Sequence, residues 1–127
     1  MWSGDFDSKS LYVQTHGVDD PGRCATPFFL AASAAAMEFE VMIYFTMYGP
    51  TLLCKDMIDK IGPKGEHGQP LRYFIEQATS LGVRLLVCQP SLDLNDLSLD
   101  ELIGGVTMIG GAAFNDLAVS ADAVISF

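Results

Sequence analysis

Short runs of apolar residues recur along the chain, and polar or turn-forming segments separate them. Several of these runs, such as residues 41–45, are apolar at every position and rich in β-branched or aromatic residues, which is typical of a parallel strand buried on both faces. The predicted strands lie at residues 10–15, 41–45, 83–88, 106–109 and 124–127. We expect residues 41–45 to form a central strand of the sheet.

Helices are predicted between these strands. The Ala-rich residues 31–37 allow close approach to a sheet, but the start of this helix is ambiguous, because a cap followed by a first-turn proline occurs twice before it. These two pairs are Asp20-Pro21 and Thr26-Pro27. Further helices are predicted at residues 52–61, 71–80 and 112–121, with short helical pieces within 91–103 and a surface loop at 62–68. Gly82 is placed to end the helix at 71–80.

The alternation of strand and helix predicts one fold class. Strand–helix–strand units are joined by right-handed crossovers, which give a parallel sheet with helices on both faces. We therefore predict an α/β protein, a three-layer α/β/α domain with a mainly parallel five-stranded sheet. A length of 127 residues suits a single domain, 1–127, with residues 1–8 as a candidate flexible N-terminus.

Composition and charge exclude several classes of function. Half of the residues are apolar and 18% are charged, which supplies a core and excludes a disordered chain. A formal charge of −9 repels polyphosphate and so argues against nucleic acid as a partner. The most apolar segment, residues 27–37, is shorter than the roughly 20 residues of a membrane span. Because no signal or transit peptide is visible, the expected location is the cytoplasm.

Cys88 is the first candidate for a catalytic nucleophile. In a parallel open sheet, ligands and reactive groups collect beyond the carboxyl ends of the strands, and Cys88 ends a predicted strand. It precedes Gln89-Pro90-Ser91, where a new helical turn would point its amides at a thiolate and lower the pKa of the thiol. A second interpretation stays open, in which Cys88 is a small apolar residue that fills the end of a strand.

Other residues at the same predicted edge are candidates for supporting roles. Cys24 follows Arg23 near a helix start and is a candidate second or resolving thiol, although a structural cysteine fits the same position. Arg23 and the amides near Gly110 and Gly111 are candidates for stabilising an anion or a charged adduct, with a plain turn as the alternative for the glycines. His16 is a candidate anion donor or base, with a structural imidazole as the alternative.

The remaining motifs predict no metal site and no cofactor. Cys54 is interpreted as a core-facing helix residue, His67 as a solvated loop residue, and Met42 and Met47 as core filling. None of the three cysteines forms a Cys-x-x-Cys pair, and the two histidines lack ligand spacing. Neither a Gly-x-Gly-x-x-Gly nor a Walker-type loop occurs in the sequence, which argues against nucleotide chemistry.

The order and spacing of several segments resemble one known family. The segments are the strand ending at Thr15-His16-Gly17, the loop Asp20-Pro21-Gly22-Arg23 leading into Pro27-Phe28 and residues 31–37, the run from Glu40-Val41 to Thr46 with Gly49, the run from Leu81-Gly82-Val83 to Val87-Cys88, and the tail from Gly110-Gly111-Ala112 to Ala121-Asp122. Together they resemble the DsrE/DsrF-like proteins, which include subunits of bacterial sulfur-relay complexes, from about Lys9 to Phe127.

The resemblance implies a parallel α/β domain that forms a homo-oligomer, a trimer or hexamer, in the cytoplasm. It also implies that Cys88 is the family thiol, which accepts sulfur as a persulfide from a small carrier protein of the TusA type or holds thiosulfate as a thiosulfonate. Such a protein is a sulfurtransferase-type sulfur carrier. Two alternatives stay open: a noncatalytic oligomeric module for ligand binding or assembly, and a thiol redox sensor in which Cys24 and Cys88 pair.

Overall fold

A sheet of five parallel strands forms the centre of the described part of the molecule. The computed structural model describes residues 8–61 and 68–127. The strands are β1 (Lys9–Gln14), β2 (Glu40–Phe45), β3 (Arg84–Val87), β4 (Val106–Met108) and β5 (Ala123–Ser126). Their spatial order is β4-β3-β2-β1-β5, and each neighbouring pair is parallel. The predicted five-stranded parallel sheet is therefore confirmed, with β2 at its centre.

Four helices and three short 3₁₀ turns connect the strands in the described part of the chain. The helices are α1 (Ala25–Ala36), α2 (Leu71–Ser80), α3 (Gln89–Leu94) and α4 (Gly111–Ser120), and the 3₁₀ turns lie at Pro21–Arg23, Gly49–Leu53 and Leu99–Glu101. Among the described residues, no helix is both long and apolar enough to cross a bilayer. Two predicted segments fall outside the described residues: most of the N-terminus at 1–8, and residues 62–67 of the loop, which include His67.

The ends of α1 and α2 follow the chemistry of their sequence. α1 begins at Ala25 with Cys24 as its N-cap, so neither predicted cap, Asp20 or Thr26, starts this helix. Asp20 precedes the 3₁₀ turn that begins at Pro21, and Pro27 lies in the first turn of α1. Gly82 ends α2 with a left-handed φ of 91°, where a side chain would be strained. The amide of Val83 then donates to the carbonyl of Ala78 at 3.1 Å, which is the long bond of a Schellman motif.

The prediction of a helix at residues 52–61 is wrong. The 3₁₀ turn at Gly49–Leu53 ends at Cys54, which is extended with ψ of 131°, and residues 55–60 form turns. Cys54 pairs with Leu102 in an antiparallel bridge, and backbone hydrogen bonds of 2.9 and 3.0 Å join the two segments on either side of it. These long-range bonds occupy backbone groups that a continuous helix would need.

Buried side chains alternate between the two faces of the sheet, as the period of a strand requires. The face covered by α1 and α2, called the α1 face, contributes to one buried cluster the strand residues Tyr12, Val41, Ile43, Phe45, Leu85 and Val87. The opposite face, called the α4 face, contributes Leu11, Met42, Tyr44, Leu86 and the following Cys88, packed against Phe114 and Leu117 of α4. Helices therefore cover both faces, which confirms the three-layer α/β/α prediction.

Two glycines hold the carboxyl ends of β1 and β2 close together. A Cβ atom on Gly17 would overlap the carbonyl oxygen of Tyr48, and a Cβ atom on Gly49 would overlap the carbonyl oxygen of Gln14. The amide of Thr46 donates to that same Gln14 carbonyl at 3.0 Å. Only glycine permits this approach of one backbone to another, so the segment after β2 is fixed against the end of β1.

Candidate functional site

Cys88 lies between β3 and α3, at the carboxyl edge of the sheet. The apolar residues of β3 carry the chain to this edge, and Pro90 in the first turn of α3 starts the helix immediately afterwards. A cavity of about 240 Å³ lies here, and its lining residues are Thr46, Met47, Cys88, Pro90, Ser91 and Leu94. Cys88 is 8% exposed, so its thiol is largely covered and borders the cavity.

Two hydroxyl groups hydrogen-bond to the sulfur atom of Cys88, and a third, on Tyr44, stabilises its ionised form. Its thiol donates to Ser91 Oγ at 3.1 Å, and the Ser91 hydroxyl donates to the Cys88 carbonyl at 2.8 Å. Thr46 Oγ1 lies 3.8 Å from the sulfur, and Tyr44 lies one residue pair earlier on the same face of the sheet. Because hydroxyl groups rotate, all three are able to donate to the sulfur once it is ionised.

These contacts lower the pKa of the Cys88 thiol. Burial by itself raises that pKa, because a thiolate is less stable away from water. Hydrogen bonds from the side chain and backbone amide of Ser91, from Tyr44 and from Thr46 outweigh burial, so the pKa of Cys88 lies below the ordinary value of a thiol. A larger fraction of thiolate at neutral pH makes the sulfur more available as a nucleophile.

The segment after β2 forms the other wall of the cavity. Met47 has a left-handed backbone with φ of 55°, which is uncommon for a residue other than glycine. The side-chain amide of Asn95 donates to the Met47 carbonyl at 2.7 Å and to the Ser91 carbonyl at 2.6 Å, which ties this segment to α3. The interpretation of Met47 as core filling is wrong, because its side chain is exposed and lines the cavity, whereas Met42 is buried as expected.

The second thiol suggested by the sequence, Cys24, lies on the opposite side of the sheet from Cys88. It is 0% exposed and belongs to the core of the α1 face. Its thiol donates to the carbonyls of Gly17 and Asp20, each at 3.4 Å. Burial, reinforced by the carboxylates of Asp20 and Asp19, raises the pKa of Cys24 to about 11. Cys24 is therefore a neutral thiol at neutral pH, and the fold does not bring it to Cys88.

Cys54 is half-buried and packs against the core of the α1 face, as expected, although the chain there is extended rather than helical. Its sulfur lies 4.0 Å from the carbonyl oxygen of Pro50. Burial raises the pKa of this thiol, and the carboxylates of Glu101 and Asp56 raise it further. Of the three cysteines, Cys88 is thus the one whose pKa lies below the ordinary value.

The other predicted site residues do not line the Cys88 cavity. His16 Nδ1 lies 3.5 Å from a carboxylate oxygen of Asp19, and Arg23 pairs with Asp20 at 3.1 Å. Gly110 and Gly111, at the start of α4, are exposed, and a Cβ atom on either would meet nothing within 4 Å. Stabilisation of an adduct by these four residues stays a prediction.

A larger cavity, of about 360 Å³, lies at the opposite edge of the sheet, beside the amino ends of β3 and β4. Arg72 and Arg84 both line it. The guanidinium of Arg72 donates twice to Asp59, at 2.6 and 2.9 Å, so its charge is already paired. Among the described residues, no cysteine lines this cavity, whereas Cys88 lines the smaller one.

Comparison with protein families covers nearly the whole chain. The model of the DsrE/DsrF-like family matches residues 8–127. The chain belongs to the DsrE/DsrF-like family. The resemblance drawn from the order of the sequence segments is thereby confirmed.

One named relative and two solved structures are similar to this chain. The sulfur carrier protein DsrE2 of Allochromatium vinosum is 30% identical, and the match covers 76% of this chain and 84% of that protein. The crystal structure of the ychN protein from E. coli has a TM-score of 0.72 at 18% identity. That match covers 95% of this chain and 99% of the ychN chain. The structure of MTH1491 from Methanobacterium thermoautotrophicum, a protein of unknown function, has a TM-score of 0.71 at 17% identity. That match covers 95% of this chain and 100% of MTH1491. At such identities the two structures show the fold alone, and they agree with the three-layer architecture.

Sequence reasoning about this DsrE/DsrF-like chain did not single out Tyr44, Thr46 or Asn95. Tyr44 and Thr46 carry a usable signal, since they are hydroxyl residues two apart at the end of a buried strand and therefore share a face. Asn95 carries no comparable signal, because its role depends on the left-handed turn at Met47, which lies far from it in sequence.

We expect iodoacetamide to alkylate Cys88 first and Cys24 last in the folded protein. The lowered pKa of Cys88 increases its fraction of thiolate, whereas complete burial and a pKa of about 11 suppress the thiolate of Cys24. As the pH falls through the pKa of Cys88, its alkylation should slow, since only the thiolate reacts. Peptide mass spectrometry measures the order, and labelling in urea is the control, where the three rates should converge. Labelling of Cys24 before Cys88 in the folded protein would contradict the assignment of Cys88 as the most reactive thiol.

Proposed function

We propose that this protein is a small sulfur-relay protein that carries sulfane sulfur on Cys88, as a persulfide or a thiosulfonate. The observation that supports this most directly is the Cys88 thiol, which borders a cavity, hydrogen-bonds to the hydroxyl groups of Ser91 and Thr46 and has a lowered pKa. Membership of the DsrE/DsrF-like family and similarity to a protein named as a sulfur carrier support the same role. In enzymatic terms the activity is that of a sulfurtransferase-type carrier.

Loading of Cys88 is a thiol exchange at sulfur. The thiolate attacks the outer sulfur of a donor persulfide, R–S–SH; the donor S–S bond breaks, a new bond joins Cys88 Sγ to that sulfur, and the donor leaves as R–S⁻. Cys88 then carries –S–SH, and the exchange involves no net oxidation. With tetrathionate the same attack on a sulfane sulfur releases thiosulfate and leaves the thiosulfonate adduct on Cys88.

The proposal includes a protein donor or acceptor and a homo-oligomeric assembly in the cytoplasm. A small carrier of the TusA type is the partner, and a trimer or hexamer is the assembly. Met47 and Leu94 support a protein partner, because both line the cavity and both are about half exposed, at 51% and 56%. They present an apolar rim beside the thiol on which another protein can pack.

Incubation with polysulfide tests the proposal. We expect peptide mass spectrometry without reductant to find the added mass of sulfur on the Cys88 peptide, and dithiothreitol to remove it. The peptides of Cys24 and Cys54 are internal controls and should stay unmodified, because burial raises the pKa of both thiols. Tetrathionate should give the corresponding thiosulfonate on the same peptide.

Two other results would replace this proposal. If sulfur loads on no cysteine while iodoacetamide still alkylates Cys88, the thiol is accessible but not a carrier, which supports a noncatalytic module for ligand binding or assembly. A disulfide between Cys24 and Cys88 under mild oxidation would support a redox sensor. The separation of these two residues by the sheet argues against that disulfide, since their Cα atoms would need to approach within about 7 Å.

A further inference from the structure

We propose that Tyr44 is a catalytic residue of sulfur transfer, whose hydroxyl donates a hydrogen bond to the Cys88 sulfur when that sulfur becomes the leaving group. Phe114 is a positioning residue that holds the Tyr44 ring. This inference rests on the proposed function, because the leaving sulfur is that of the loaded Cys88. It concerns the release of the carried sulfur from Cys88 to an acceptor. The position of Cys88 in the fold does not by itself show which group assists that release.

The pairing of β2 with β3 places the Tyr44 side chain beside the Cys88 thiol. Tyr44 pairs with Leu86 in the sheet, so Cys88 lies two residues further along the neighbouring strand direction and on the same face. Diagonal neighbours of this kind are within reach of an aromatic side chain. Both residues belong to the buried cluster of the α4 face, and the interaction between them lowers the pKa of Cys88 and raises the pKa of Tyr44.

Helix α4 restricts the orientation of the Tyr44 ring. The ring centroids of Tyr44 and Phe114 lie 4.3 Å apart with an interplanar angle of 33°, a close aromatic contact. Tyr44 is buried, so its ring has little freedom to turn away from the sulfur. Burial, followed by the interaction with Cys88, raises the pKa of Tyr44, which keeps its hydroxyl protonated and available as a donor.

Release of the cargo places negative charge on the atom that Tyr44 contacts. An acceptor thiolate, R–S⁻, attacks the outer sulfur of Cys88–S–SH; a bond forms between R–S and that sulfur, the Cys88 S–S bond breaks, and its electron pair goes to Cys88 Sγ. The products are R–S–SH and the Cys88 thiolate, and the proton stays on the transferred sulfur. A hydrogen bond to Sγ strengthens as this charge develops, and a leaving thiolate of lower pKa departs faster.

The variant Tyr44→Phe tests the inference, because it removes the hydroxyl and keeps the ring contact with Phe114. We expect the variant to load sulfur on Cys88 and to release it to an acceptor thiol more slowly, by roughly three- to tenfold. The measurement is the decay of the loaded Cys88 peptide after mixing with excess acceptor. Release at the wild-type rate would overturn the role of Tyr44.

Tyr12→Phe is the matched control. Tyr12 is also buried, and its ring centroid lies 6.0 Å from that of Phe127. It differs from Tyr44 in lying on the α1 face, away from Cys88. Loss of the Tyr12 hydroxyl should leave the rate of sulfur release from Cys88 unchanged. An equal slowing in both variants would mean that a general loss of packing, and not contact with the sulfur, causes the effect.

The pH dependence of Cys88 alkylation gives a readout that does not depend on sulfur loading. In Tyr44→Phe the midpoint of this profile should move to higher pH, because the thiolate has lost a donor. If the wild-type protein fails to load sulfur but this midpoint moves, the proposed function is wrong and the contact with Tyr44 stands. If sulfur loads normally and neither the midpoint nor the release rate changes, the inference is wrong and the proposed function stands.

Phe114→Leu separates positioning from direct contact. The smaller side chain loosens the Tyr44 ring without touching the sulfur, so we expect the midpoint of alkylation to move in the same direction as in Tyr44→Phe, and by less. A profile identical to that of the wild type would remove Phe114 from the proposal.

Discussion

Replacement of Cys88 by serine is expected to abolish sulfur loading and to leave the fold intact. A serine hydroxyl has a far higher pKa than a thiol and forms no stable bond to sulfane sulfur, so polysulfide should add nothing to that peptide. The smaller oxygen still reaches a hydrogen-bond partner, since Ser91 Oγ lies 3.1 Å from the present sulfur. Mass spectrometry measures loading, and circular dichroism and the midpoint of urea unfolding measure the fold.

The matched control is Cys54→Ser, which removes a half-buried thiol away from the cavity. This variant should load Cys88 to the wild-type extent. Full loading of the Cys88→Ser protein on another cysteine would contradict the assignment of the carrier thiol. Loss of loading in both variants would indicate that the two substitutions act through stability.

Truncation of Phe28 to alanine should cost about 3–5 kcal/mol in the free energy of unfolding. Phe28 is 0% exposed and stacks on Phe45 of the central strand, with ring centroids 5.7 Å apart. Alanine would leave a cavity between α1 and the sheet, where the close-packed neighbours relax only in part. For a domain whose total stability is about 5–15 kcal/mol, a loss of this size is large. The midpoint of urea unfolding should fall accordingly.

The adjacent Phe29 supplies the control for this prediction. It belongs to the same helix but is 57% exposed, so Phe29→Ala changes helix propensity equally and creates no cavity. We expect a change within about 0.5 kcal/mol. If Phe28→Ala does not fold, Phe28→Leu should give a smaller but measurable loss. Equal stability of the Phe28 and Phe29 variants would contradict the assigned packing of α1.

The strands were predictable because their signal is local. Residues 41–45 and 83–88 are apolar at successive positions, as burial on both faces requires, and each predicted strand overlaps an observed one. Residues 71–80 carry an equally local stop signal in Gly82, and α2 has the predicted bounds. The helix prediction for residues 52–61 failed because pairing with a segment almost fifty residues later sets their conformation. Local helix propensity contains no information about such a partner.

The candidate site was predictable in part, for a related reason. The position of Cys88 follows from the general rule that parallel sheets present groups beyond their carboxyl ends. The partners of its sulfur depend on strand order and register, which place Tyr44 and Thr46 beside it only because β2 pairs with β3. The sequence places Cys24 and Cys88 at one edge of the sheet but does not tell that they lie on opposite faces of it, since that depends on how α1 packs.

If Cys88 carries sulfur as proposed, the distribution of cysteines over the two faces of the sheet sets the kinetic order of sulfur release. Cys24 and Cys54 both pack on the α1 face, whereas Cys88 lies on the α4 face. A sulfur atom bound to Cys88 therefore has no thiol of its own chain to which it can migrate. Its departure is a bimolecular reaction, so its residence time shortens in proportion to the concentration of an outside acceptor and lengthens when none is present.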